Sequence, residues 1–162
     1  MRHLLTMSRL LVFLSLLGLT TQAQTLPQEA PLWHTWTAAL HAQIARFYSQ
    51  QERHDEALAH LNQALRLLPE SVALHIQRGQ TYLLLYEWDA ALADFNAAID
   101  RDPSYAPAYF QRGLLYYTRA EREAARDDFQ RFLALAPQAE EVSLARTWLA
   151  AIEGELEALN SP

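Results

Sequence analysis

The chain has no cysteine, no lysine and only four glycines in 162 residues. Each absence closes a class of chemistry. Without cysteine there is no disulfide, no thiolate nucleophile and no thiolate metal ligand, so oxidation state has no structural role. Gly18, Gly79, Gly113 and Gly154 lie far apart, so no glycine-rich loop cradles a phosphate. Positive charge rests on 13 arginines against 19 acids, a formal net charge of −6. Such a chain lacks the clustered cations that nucleic acid requires, and it gains little from anionic lipid. Serine, glycine and proline are too scarce for a disordered chain, and the apolar fraction of 51% suits one folded domain.

Long apolar runs are scarce too. The run Leu10 to Leu19 follows Arg2, His3 and Arg9. It is too short for the roughly 20 apolar residues that span a bilayer. Thr21-Gln22-Ala23 then places small residues at the −3 and −1 positions of a cut after Ala23. Residues 1–23 are therefore expected to be a secretory signal peptide, with an uncut signal anchor as the alternative. The expected location is periplasmic or secreted, or membrane-anchored if the segment stays attached. No cysteine follows the run, which excludes a lipobox lipoprotein. Without the segment, 11 arginines face 19 acids, a net of −8. Residues 24–31 read as a linker, with Pro27 and Pro31 keeping it out of a helix interior.

What the chain does contain is a period. From Val72 to Ser104 a helical pattern recurs before and after at an offset of 34. Gly79 returns as Gly113, Gln77-Arg78 as Gln111-Arg112, and Pro103 sits between Pro69 and Pro137. Tyr48, Tyr82 and Tyr116 share a place, as do Ala57, Ala91 and Ala125, and Leu61, Phe95 and Phe129. Each period holds two helical patterns of about 13 residues. Ala73, Ile76, Leu83 and Leu84 keep helical spacing in one, and Trp88, Ala91, Leu92, Phe95, Ala98 and Ile99 in the other. Gly79, Ala91 and Ala98 are small where helices would cross, and Tyr82 and Phe95 would fill the space around them. A two-helix unit cannot bury its apolar face alone, but stacked units can. The expected fold is all-α: a right-handed α-solenoid of antiparallel helix pairs.

The period and these residue types resemble the tetratricopeptide repeat. Three units are expected, Ala38–Ser71, Val72–Tyr105 and Ala106–Ala139. Departures fall at position 27, where Phe132 replaces Ala64 and Ala98, and at position 4, which reads His41, His75 and Tyr109. A first helix is expected from about Leu32 to Gln50. Its Trp33 and Trp36 are either cover for the open end of unit 1 or a partner surface. After Pro137 a capping helix is expected over about 140–160, apolar through Val142, Leu144, Ala145, Trp148, Leu149, Ile152 and Leu156.

The resemblance implies a ligand surface on the concave face, lined by the first helix of each unit. Carried over, its positions give Ala39, Ala42, Gln43, Arg46, Ser49 and Gln50, then Ala73, Ile76, Gln77, Gln80, Leu83 and Leu84, then Pro107, Phe110, Gln111, Leu114, Tyr117 and Thr118. Leu144 and Trp148 extend it. The expected lining runs from polar at the N-terminal end to aromatic at the C-terminal end. Gln43, Gln77 and Gln111 would bond a peptide backbone, while Phe110, Tyr117 and Trp148 would bury its large side chains. The alternative is that Leu83, Leu114 and Trp148 simply pack between helices. Arg46 is the one cation among these positions, so the resemblance does not extend to a basic clamp for a C-terminal carboxylate. Arg78 and Arg112 read as a solvated edge or as partners of Asp94 and Asp128.

Catalytic chemistry finds no foothold. His41 and His75 would lie about 10 Å apart by helix-pair spacing, too far to share a metal whose ligands sit at about 2.1 Å. His54 and His60 have no third ligand in view. Asp127-Asp128 and Glu140-Glu141 are adjacent, diverge on a helix and read as solvated surface. Ser71 and Ser104 look like turn or N-cap residues. The expected function is a non-catalytic scaffold or adaptor of the cell envelope that binds a protein or peptide, with no cofactor, metal or nucleic acid. The alternative is a self-associating subunit of an envelope, pilus or secretion assembly, and so a homo-oligomer.

Overall fold

The computed structural model describes residues 32–160. The expected signal segment and linker lie outside the described residues. Seven helices follow in order: α1 Leu32–Gln50, α2 His54–Leu67, α3 Val72–Leu84, α4 Trp88–Arg101, α5 Ala106–Thr118, α6 Arg122–Leu135 and α7 Val142–Asn160. The described residues form no strand. Helices pair antiparallel as α1–α2, α3–α4 and α5–α6, and the pairs stack in sequence. None of these helices is long and apolar enough to cross a membrane.

The period sets where each helix stops. Glu52, Tyr86 and Ala120, 34 residues apart, all adopt a left-handed conformation with φ near 60°. In each turn the next amide returns to the tyrosine carbonyl of the helix just ended: Arg53 to Tyr48, Glu87 to Tyr82 and Glu121 to Tyr116, at 2.9–3.0 Å. Pro69, Pro103 and Pro137 then follow two residues after α2, α4 and α6. The Ser71 hydroxyl caps α3 by accepting from the Leu74 amide at 3.4 Å. Ser104 instead belongs to a turn, donating its amide and hydroxyl to Asp102. After Pro137 two successive backbone turns intervene, so α7 opens at Val142 rather than near 140.

Within each unit the crossing of the two helices is governed by one pair of positions. A Cβ on Gly79 would stand 2.6 Å from the Phe95 ring, and one on Gly113 3.2 Å from the Phe129 ring. Unit 1 carries Ala45 at this place because its partner is the shorter Leu61. The pattern small-against-large is thus kept while the sizes shift.

Between units the third and tenth positions do the packing. Leu74 and Thr81 are buried where unit 2 meets unit 1, and Ala108 and Leu115 where unit 3 meets unit 2. The position-4 side chain adds a tie backwards: His75 meets the Pro69 carbonyl at 3.0 Å, and Tyr109 donates to the Pro103 carbonyl at 3.1 Å. Two arginine ladders complete the join. Arg78 donates to both oxygens of Asp94 and to Asn62 of the preceding unit at 2.7–2.8 Å. Arg112 repeats this with Asp128 and Asn96 at 2.7 Å. Asp94 and Asp128 are buried, so Asp128 is no solvated surface residue. Burial pushes the Asp128 carboxyl up against the downward pull of Arg112, while the carboxylates hold both arginines above their ordinary value.

Among the described residues, Trp33 and Trp36 are not buried against the end of unit 1. They are 61% and 77% exposed.

Candidate peptide groove

A groove of about 280 Å³ opens between α1 and α3. From α1 come Arg46, Ser49 and Gln50, and from α3 come Gln77, Gln80, Thr81 and Leu84. These are one-turn neighbours on each helix, so each set shares a face. Ala45 and Leu61 form the floor. Gly79 and Phe95 fill the equivalent place in unit 2, where the phenyl edge stands against the glycine.

The groove wall holds an unmet polar group. The Gln77 Oε1 is buried and has no hydrogen-bond partner. A buried amide oxygen without a donor is costly, at roughly 1–3 kcal/mol, and buried polar atoms are generally paired. Thr81 donates its hydroxyl to the Gln77 carbonyl at 2.9 Å and so is occupied with its own helix. Arg46 is exposed and forms no ion pair among the described residues. The groove therefore offers one acceptor, one free cation and two further exposed amides, Gln50 and Gln80.

The C-terminal half of the same face is closed. Phe110 is buried, with its ring 5.1 Å from Phe132 and 5.9 Å from Phe129. Tyr117 packs on Trp148 of α7 at 4.6 Å, and the Arg122 guanidinium lies 4.5 Å over the Tyr117 ring. Glu155 of α7 accepts from the Tyr117 hydroxyl at 3.3 Å and pairs with Arg122. Leu114 packs against the same core.

The expected site residues thus divide. Arg46, Gln50, Gln77 and Gln80 are brought together around the groove. Gln43 is exposed on α1 outside the groove lining, and Gln111 is half-buried on α5. Ile76 and Phe110 are buried, against the expectation that they line the face, and Leu83, Leu114 and Trp148 follow the alternative of packing between helices. Ile76 is buried in the core of unit 2, and Leu83 packs against that core. Phe110, Leu114, Tyr117 and Trp148 belong to the core of unit 3, because α7 presses its apolar face onto α5 and α6. The floor residues Ala45 and Leu61, and Thr81, were missed. Thr81 lies one turn after Gln77, so helical spacing alone pointed to it.

A second missed contact joins His41 and His60, whose Nδ1 atoms lie 2.9 Å apart. His75 and Asp94 show the same 19-residue separation in unit 2. Among the described residues no group of three or more histidine, aspartate or glutamate side chains is placed to hold a metal.

Residues 38–81 and 107–139 match models of the tetratricopeptide repeat. No curated protein matches the chain. Among solved structures, the first tetratricopeptide domain of Spaghetti (RPAP3) bound to the HSP90 peptide SRMEEVD is 27% identical, with a TM-score of 0.70 over 76% of this chain and 95% of that one. The first such domain of human RPAP3 is also 27% identical, with a TM-score of 0.69 over 75% and 94%. The TPR2B domain of yeast Sti1, in its pHsp70 complex, is 15% identical with a TM-score of 0.70 over 74% and 98%, a likeness of fold. The chain is thus similar to tetratricopeptide domains, and its described residues form a solenoid of three helix pairs plus an extra helix.

Proposed function

We propose that the protein is a peptide-binding adaptor whose ligand lies in the groove between α1 and α3. The buried, unpartnered Gln77 Oε1 carries the reading, since a bound peptide amide would supply the donor that the fold leaves out. Gln50 and Gln80 offer further backbone partners, and Leu84 an apolar contact. Arg46 is the single cation of the lining, so an acidic side chain suits the ligand better than a C-terminal carboxylate held by several cations. The likeness to a domain bound to an HSP90 peptide supports peptide recognition in general.

The test is a selection of random peptides on the full chain, with affinities read by fluorescence anisotropy. Selected peptides should carry an acidic residue and lose about tenfold or more in affinity on Arg46→Ala, as charge-assisted hydrogen bonds do. Affinities unchanged by Arg46→Ala together with Gln80→Ala would place the ligand elsewhere.

Export to the cell envelope is part of the proposal, supported by the pattern Arg2, Arg9, Leu10 to Leu19 and Thr21-Gln22-Ala23. N-terminal sequencing of protein from the non-cytoplasmic fraction should begin at Gln24. Protein beginning at Met1 in the membrane fraction would indicate the anchor instead.

A further inference from the structure

The third and tenth positions of a unit face the unit before it. In unit 2 they are Leu74 and Thr81, in unit 3 Ala108 and Leu115, and all four are buried. Unit 1 has no preceding unit among the described residues, and its Leu40 and Phe47 are 59% and 57% exposed. Leu32, Trp33 and Trp36 extend the same side of α1 by two turns, at 61–78% exposure. A terminal unit of a stacked array ordinarily turns a polar side outward. Unit 1, the first among the described residues, does the reverse, and Arg46 is the only charged residue between Leu32 and Gln50. Loss of charge with aromatic enrichment marks the centre of an interface.

We propose that this open stacking face seats a second copy of the chain, α1 against α1 across a two-fold axis. The area is sufficient. Taking about 150–250 Å² for each large side chain, the five residues expose roughly 500–850 Å² per copy, against about 800 Å² per partner in a standard interface. The opposite end does not complement it. The outward side of α7 presents Arg146, Glu153 and Glu157, with Leu144 its one large exposed apolar residue among those described. Head-to-tail stacking would set the tryptophans against charge. Self-pairing sets apolar on apolar and closes after two copies. The peptide groove takes Arg46, Ser49 and Gln50 from the same helix, and Gln50 lies one turn from Phe47, so the groove borders this face.

The test is sedimentation equilibrium on the full chain over a range of concentrations. The expected mass is twice 18.5 kDa, falling to the single value with Trp36→Glu while circular dichroism keeps its helical signal. Phe47→Glu should do the same, which separates the α1 face from any association through residues 1–31. Leu144→Glu should leave the dimer intact. A wild-type monomer, a dimer that survives both α1 variants, or a mass that keeps growing beyond two copies would overturn the proposal.

Discussion

The two halves of the concave face start from equivalent positions and end differently. At the N-terminal half, α1 and α3 stand apart over Ala45 and Leu61, and amides and one arginine face the gap. At the C-terminal half, Phe110, Tyr117 and Trp148 close on one another under α7. Position 9 reads Arg46, Gln80, Leu114 and Trp148 in turn, from polar to aromatic. The gradient is one of burial: the same position faces solvent in one unit and the terminal helix in another. A large aromatic on an expected binding face is therefore as fit to seal the solenoid as to hold a ligand.

Breaking the closed half should have the largest effect. Arg112→Ala leaves the buried Asp128 without its cation, and should cost about 3–5 kcal/mol in denaturant unfolding. Arg78→Ala should cost less, because His75 still reaches Asp94 at 2.8 Å. Trp148→Ala removes the ring that covers Tyr117, and should cost about 3 kcal/mol, read as a lower unfolding midpoint. At the boundary between the halves, Gly79→Ala drives a methyl group into Phe95 and should cost about 1–3 kcal/mol. The smallest change sits at the open half and has the opposite sign. Gln77→Leu replaces an unpartnered buried oxygen and should raise stability by about 1 kcal/mol while weakening peptide binding. Gln111→Leu, its counterpart in unit 3, should leave binding unchanged.

Much of the fold was legible because the period constrains many residues at once. The prolines, the small residues at helix crossings and the 16-residue step from Arg78 to Asp94 and from Arg112 to Asp128 all follow the repeat. Asn62 and Asn96, 34 apart, carried the same signal and went unread. The His41–His60 contact was legible in principle, since it keeps the spacing of His75 and Asp94 with the carboxylate exchanged for an imidazole. The site was half legible. The resemblance carried over the positions of Arg46, Gln50, Gln77 and Gln80, which line one groove. It does not say how deeply the last helix seats itself. That depends on the packing of Trp148, Ile152 and Glu155, which lie beyond the last full period.

On the proposed function, the open half binds the ligand and the closed half supports it. Amide hydrogen exchange with and without a selected peptide tests it most directly. Protection should rise in α1 and α3, with α5 and α7 unchanged. Protection confined to α5 and α7 would contradict it, since the aromatic half would then open to receive the ligand.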